Sequence, residues 1–211
     1  MKELIKRRQL IPIGVWFVLY MSLFVFQEIV PPKNVHLIRC VLDDLIPYMA
    51  VFVYPYVSWF PYVAVCAALA IRNLDDTEYR RAVLILTAGM NVFLLISYVW
   101  PTGLDFRESI AYDLTTLSGN LLKFVQTVDT PNSVFPSMHV YVTLVFQYTL
   151  ELQKKRLPAW GVWLGRVLAA LIVLSTMFTK QHSAADVIGA FVLFAVLWAA
   201  SLKFSWTKRR I

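Results

Sequence analysis

Apolar residues in this chain come in runs long enough to cross a lipid bilayer, and that limits its possible folds more than any other feature. A spanning helix needs roughly 20 mostly apolar residues. Six segments reach or approach that length: about residues 10–30, 45–71, 82–100, 136–152, 160–179 and 184–204. The second holds Pro47, Pro55 and Pro61, which membrane helices tolerate when neighbours re-satisfy the freed carbonyls, so a kinked or tilted helix is predicted there. The first run is too long for a signal peptide and lacks a small-residue cleavage site, so it reads as a retained span. The expected fold is all-α: a polytopic membrane protein with six transmembrane helices in one bundle, a single domain over residues 1–211.

Composition excludes the soluble alternative. The chain is 59% hydrophobic and 16% charged, against about 25% charged in an average soluble protein. Two cysteines, Cys40 and Cys66, supply neither a disulfide framework nor metal-ligand spacing. The formal net charge of +7 would suit nucleic acid, but its distribution fits topology better. Fourteen basic residues fall on one side of the predicted bundle: Lys2, Lys6, Arg7 and Arg8; Arg72, Arg80 and Arg81; Lys154, Lys155 and Arg156; Lys203, Lys208, Arg209 and Arg210. Five fall on the other: Lys33, Arg39, Arg107, Lys123 and Lys180. The positive-inside rule then places both termini in the cytoplasm, and no nucleic-acid partner is expected.

The predicted outer side has one long connection, residues 101–136. Within it Ile110, Leu114, Leu117, Leu121, Leu122 and Val125 recur at helical spacing. An interfacial helix is predicted there, with Ser109 at its start, either packed on the bundle or flanking a lipid entrance.

Polar residues at membrane depth are costly and point to function. Three polar clusters fall on the outer side: residues 101–107, 129–139 and 178–186. Topology alone brings them to one surface. His182 and Asp186 are four apart, a spacing that shares one helix face. A carboxylate there fixes the imidazole tautomer and leaves the other nitrogen free to attack an electrophile. His139 follows a helix start marked by Pro136 and Ser137, where unpaired N–H groups suit phosphate. A second histidine there can protonate a leaving oxygen. Arg107 and Lys180 would offset phosphoryl charge. Those same cations oppose a metal site built from His139, His182 and Asp186. A serine hydrolase using Ser137 or Ser133 lacks the Gly-x-Ser-x-Gly elbow. His36, Asp43, Asp44 and Lys123 read as ordinary loop residues.

These motifs resemble the type 2 phosphatidic acid phosphatase superfamily, whose motifs are Lys-x6-Arg-Pro, Pro-Ser-Gly-His and Ser-Arg-x5-His-x3-Asp. Here the second reads Pro136-Ser137-Met138-His139, and the third reads Ser175-Thr176, five residues, His182 and then Asp186. Thr176 replaces the family arginine, Trp100 the first-motif lysine, and Glu108 follows Arg107 in place of proline. Residues 135–140, Lys180-Gln181-His182 with Asp186, and 129–132 look like the branch containing inositol phosphorylceramide synthases.

The resemblance implies that His182 is a nucleophile forming a phosphohistidine, Asp186 its orienter and His139 the acid for the leaving alcohol. It implies that Arg107 and Ser137 bind phosphate oxygens, with Lys180 as a substitute for the missing arginine, and that neither metal nor cofactor is needed. The substrate would be a lipid phosphate at the outer face of a cell membrane, and no protein partner is implied. Hydrolysis and transfer to an alcohol both remain open. Small size and short outer loops favour hydrolysis, because they leave little protein to build an acceptor pocket. A non-catalytic lipid-binding or transport protein is the distant alternative, and intact His139, His182 and Asp186 argue against it.

Overall fold

The computed structural model describes residues 2–30 and 34–203. Lys33 and the C-terminal Lys208, Arg209 and Arg210 lie outside the described residues. In chain order the elements are α1 Lys2–Ile29, β1 His36–Leu37, α2 Val41–Leu45, α3 Val53–Val57 and α4 Trp59–Asn73. Then come α5 Asp76–Val99, β2 Thr102–Gly103, α6 Leu117–Val128, α7 Met138–Leu152, α8 Ala159–Phe178 and α9 Ala184–Leu202. Short 3₁₀ turns cover Ala50–Phe52 and Phe106–Ser109.

Five helical stretches are long and apolar enough to cross a membrane: Leu10–Ile29, Ala50–Asn73, Asp76–Val99, Ala159–Phe178 and Ala184–Leu202. The chain is a multi-pass membrane protein. Large apolar side chains stand exposed along these helices, among them Phe26, Trp163, Ile188 and Val196. Water would penalise such a surface, whereas lipid tails accept it.

The expected fourth span is the exception in length. At 15 residues, α7 is about 22 Å long by the helical rise, shorter than the roughly 30 Å hydrocarbon core. It is also the most enclosed helix. Val140, Tyr141, Val145, Phe146 and Leu150 are buried, packed among α4, α5, α8 and α9. Tyr141 donates to the Ile85 carbonyl at 2.5 Å. A Cβ on Gly89 would meet that ring at 2.0 Å, so only glycine lets α5 and α7 approach here.

Several boundaries differ from expectation for local reasons. The second apolar run does not begin a helix at Leu45. Residues 46–49 are non-helical, and the stretch from Ala50 continues as α3 and α4, with Pro55 and Pro61 each near a helix start, where the missing N–H is least missed. α5 starts at Asp76 rather than Ala82 because Asp75 and Glu78 form a capping box. α6 begins at Leu117, not near Ser109. Thr116 is its cap, accepting from Gly119 N–H at 3.1 Å, and residues 110–116 are not helical. The parallel β1–β2 pair was not expected in an all-α chain.

At one end of the bundle the α4–α5 and α7–α8 connections meet. Asn73 donates to Gln153 at 2.9 Å, and Arg156 donates to the Asn73 carbonyl at 2.9 Å and to Glu78 at 2.8 Å. At the other end, β2 and residues 131–135 join through Leu104 N–H to the Pro131 carbonyl and Ser133 N–H to the Thr102 carbonyl. The three polar clusters gather at this second end.

Candidate active site

His182 does not sit on a helix. Ser183 is the N-cap of α9, and Asp186 occupies the third position of its first turn. The expected i,i+4 pair therefore bridges the cap instead of lying along a helix face. His182 Nδ1 stands 3.4 Å from Asp186 Oδ2, a close electrostatic contact without hydrogen-bond geometry. The same Oδ2 accepts from Ser183 N–H at 2.9 Å. Asp186 is fully buried and His182 nearly so.

The turn before His182 explains its placement. α8 ends with Lys180 in the left-handed region at φ 57°. Lys180 N–H donates to the Met177 carbonyl, and Gln181 and His182 N–H both donate to that of Thr176. That is a Schellman-type ending with lysine where glycine is usual. Ser137 N–H donates to the Asp186 carbonyl at 3.1 Å, tying the α7 start to the α9 start. Phe135 packs against Gly189, where a Cβ would come within 2.6 Å of its ring.

His139 lies in the first turn of α7, after the cap Ser137. Tyr56 and Trp59 pack on its ring, each with centroids 4.8 Å away, and the His182 ring lies at 5.9 Å. His139, His182, Arg107, Asp129, Glu28 and Gln181 line one cavity of about 70 Å³. Arg107 donates to the Asp129 carbonyl and to Gln181 Oε1. Burial pulls its pKa below the ordinary value, and the Asp129 carboxylate pulls it back up; a guanidinium stays charged regardless. The arrangement offers two imidazoles, a buried carboxylate behind one of them, and one guanidinium at the same cavity.

A family profile described as the PAP2 superfamily matches residues 43–200. The chain belongs to the PAP2 superfamily. Searches of curated proteins and of solved structures give no match. Membership supports a phosphatase- or phosphotransferase-type function for this PAP2 protein.

Four of the six residues singled out in the sequence meet here: His139, His182, Asp186 and Arg107. Lys180, expected at the phosphate, stands elsewhere in the structure. Its ammonium donates to the carbonyls of Asp43 at 2.8 Å and Ile46 at 2.6 Å, and it lines a separate open cleft with Arg39, Asp44 and Asp105. Ser137 is fully buried and its hydroxyl faces the Val140 N–H at 3.4 Å. Thr176, at the family arginine position, is buried, with its hydroxyl on the Val173 carbonyl. Arg107 instead reaches the residue next to His182 from the α5–α6 connection.

Sequence reasoning missed other participants. Asp43, read as a loop residue, is buried and accepts from Cys40 N–H at 2.7 Å, Ser183 Oγ at 2.6 Å and Ala184 N–H at 2.7 Å. It thus clamps the α9 start from 140 residues away. Glu28, Tyr56, Trp59, Asp129 and Gln181 also carried no pattern of their own. The one available signal was that Asp129 and Gln181 fall inside the polar clusters.

Proposed function

We propose that this PAP2 protein is a membrane lipid phosphate phosphatase acting through a phosphohistidine on His182. The observation that carries the reading is the shared cavity: both histidines and Arg107 line it, with Asp186 buried behind His182. Asp186 faces Nδ1, so Nε2 is the attacking nitrogen. It bonds to phosphorus as the bond to the lipid oxygen breaks, and His139 gives that oxygen a proton. His139 then takes a proton from water, whose oxygen displaces phosphate from His182. Arg107 stabilises the charge on the transferring group, aided by the α7 first turn, which the buried Ser137 caps. The His182–Asp186 contact would shorten with substrate, as catalytic hydrogen bonds commonly do. Lys180 serves this site by holding the turn that precedes His182. No metal or cofactor enters.

The same reading takes α7 as a short sixth span. It also places α6 at the membrane interface, because Leu117, Phe124 and Val128 are exposed while Leu122 is buried against the bundle. Both termini are cytoplasmic and the cavity opens to the outer face, since the basic connections lie at the opposite end. The substrate is a lipid phosphomonoester or diphosphate.

A second reading, phosphoryl-head-group transfer to an alcohol, is favoured by one observation. Glu28, Asp129, Thr130 and Asn132 line the same cavity, which gives it acceptors for hydroxyl groups that loop lengths alone did not suggest. The test offers a panel of lipid phosphates in detergent, with and without inositol or glycerol. Inorganic phosphate released at full rate without alcohol supports the phosphatase. Turnover that requires the alcohol and yields a phosphodiester replaces it with the transferase. In either case His182→Ala abolishes turnover, while Asp186→Asn leaves a residue of activity orders of magnitude below the parent.

A further inference from the structure

Behind His139 stands a chain of side chains that the mechanism above does not use. Tyr56, buried on α3, donates its phenolic hydrogen to Asp129 Oδ2 at 2.6 Å. The same phenolic oxygen lies 3.5 Å from His139 Nδ1. The other ring on His139, Trp59, spends its N–H on the His139 carbonyl at 3.1 Å and offers the imidazole nitrogens nothing.

A phenol has one proton. A carboxylate is the stronger acceptor for it, so only lone pairs of the Tyr56 oxygen face Nδ1. We infer that Tyr56 and Asp129 are positioning residues that hold neutral His139 as its Nδ1–H tautomer and make Nε2 the nitrogen that transfers protons. Nδ1–H is directed at the Tyr56 oxygen, and the Tyr56 hydroxyl is directed at Asp129. The carboxylate thereby sets an imidazole tautomer through an interposed phenol, where hydrolytic triads use direct contact. Protonated His139 gives its Nε2 proton to the leaving lipid oxygen and becomes the tautomer that Tyr56 accepts from. Water later returns a proton to Nε2. The proton on Nδ1 stays in place throughout, and neither Tyr56 nor Asp129 changes ionisation.

The inference rests on His139 as the proton-transfer residue, and its main test does not depend on activity. The chain holds three histidines, so nitrogen-15 spectra of histidine-labelled protein in detergent are assignable, the His139 signals being those lost in His139→Gln. The expected spectrum of neutral His139 has Nδ1 protonated and Nε2 bare. Tyr56→Phe removes the acceptor and leaves a tautomer mixture. Asp129→Ala keeps the backbone carbonyl used by Arg107 but frees the phenolic proton to point at Nδ1, shifting the ring toward Nε2–H. In kinetics, Tyr56→Phe lowers kcat about ten-fold, on the scale of lost orienting partners, and leaves KM within about two-fold. A parent protein whose His139 is already Nε2–H sinks the inference by itself. So does a tautomer unmoved in both variants. Full activity in His139→Gln would instead sink the proton-transfer reading while leaving the spectrum to judge the tautomer.

Discussion

The two histidines face the same cavity but are held by different physics. On the His182 wall the restraints are hydrogen bonds to main chain. The α8 ending fixes the His182 backbone through the Thr176 carbonyl, and Asp43 fixes the α9 start through Ser183 Oγ and Ala184 N–H. On the His139 wall the imidazole itself is held by rings, with Tyr56 and Trp59 packed on it and a single 3.5 Å approach to Nδ1, while the Trp59 N–H holds the His139 carbonyl. The difference suits the two proposed roles. A nucleophile must keep a fixed distance to phosphorus, and a few hydrogen-bonded backbone groups hold such a distance better than apolar packing does. A proton-transfer residue needs a defined tautomer and some freedom to approach different oxygens, which packing against tilted rings allows.

Arg107 touches both walls, donating to the Asp129 carbonyl on one side and to Gln181 on the other. Its loss should therefore have the largest effect outside the two histidines and Asp186. Arg107→Ala is expected to reduce kcat/KM by about 10²–10³-fold, the scale of one lost transition-state donor. Arg107→Lys is expected to recover little, because one ammonium cannot span both acceptors. Full recovery by lysine would mean that the two walls need only a charge between them and no bridge.

Asp43 tests the His182 wall alone. Asp43→Ala strands three donors, and an unsatisfied buried group costs about 1–3 kcal/mol. The expected outcome is a lower melting temperature together with a fall in kcat of about ten-fold, while His139 nitrogen-15 signals stay unchanged. A shift in the His139 signals would show that the walls are mechanically coupled, contrary to the comparison.

Most of the bundle and the candidate pair His182 with Asp186 were legible in the sequence because they depend on local rules: apolar run length for the spans, and spacing for the pair. The supporting residues were not. Asp43 and Tyr56 lie in the connection and broken helix that precede α4, and nothing in their neighbourhood marks them as partners of residues 73 to 140 positions away. The apolar residues of the 101–136 loop overstated α6, because Ile110 and Leu114 fit the helical period although the chain there turns through Asp113 and Thr115. Lys180 differs in another way. Its position beside His182 suggested a phosphate contact, whereas in the structure its ammonium donates to the Asp43 and Ile46 carbonyls.

Lys180 therefore gives the smallest expected effect. Both Lys180→Ala and Lys180→Gly lose the two bonds to the Asp43 and Ile46 carbonyls. Alanine keeps the cost of the left-handed backbone, about 1 kcal/mol, whereas glycine relieves it. Melting temperatures should fall in the order parent, glycine variant, alanine variant, or with parent and glycine nearly equal where the relief offsets the lost bonds. Both variants should keep kcat/KM within about three-fold of the parent, because Lys180 supplies no donor to the transferring group. A loss nearer 100-fold in the alanine variant, with its melting temperature unchanged, would be the signature of a missing transition-state cation. Lys180 would then belong at the phosphate, and the His182 wall would act through charge as well as through its backbone.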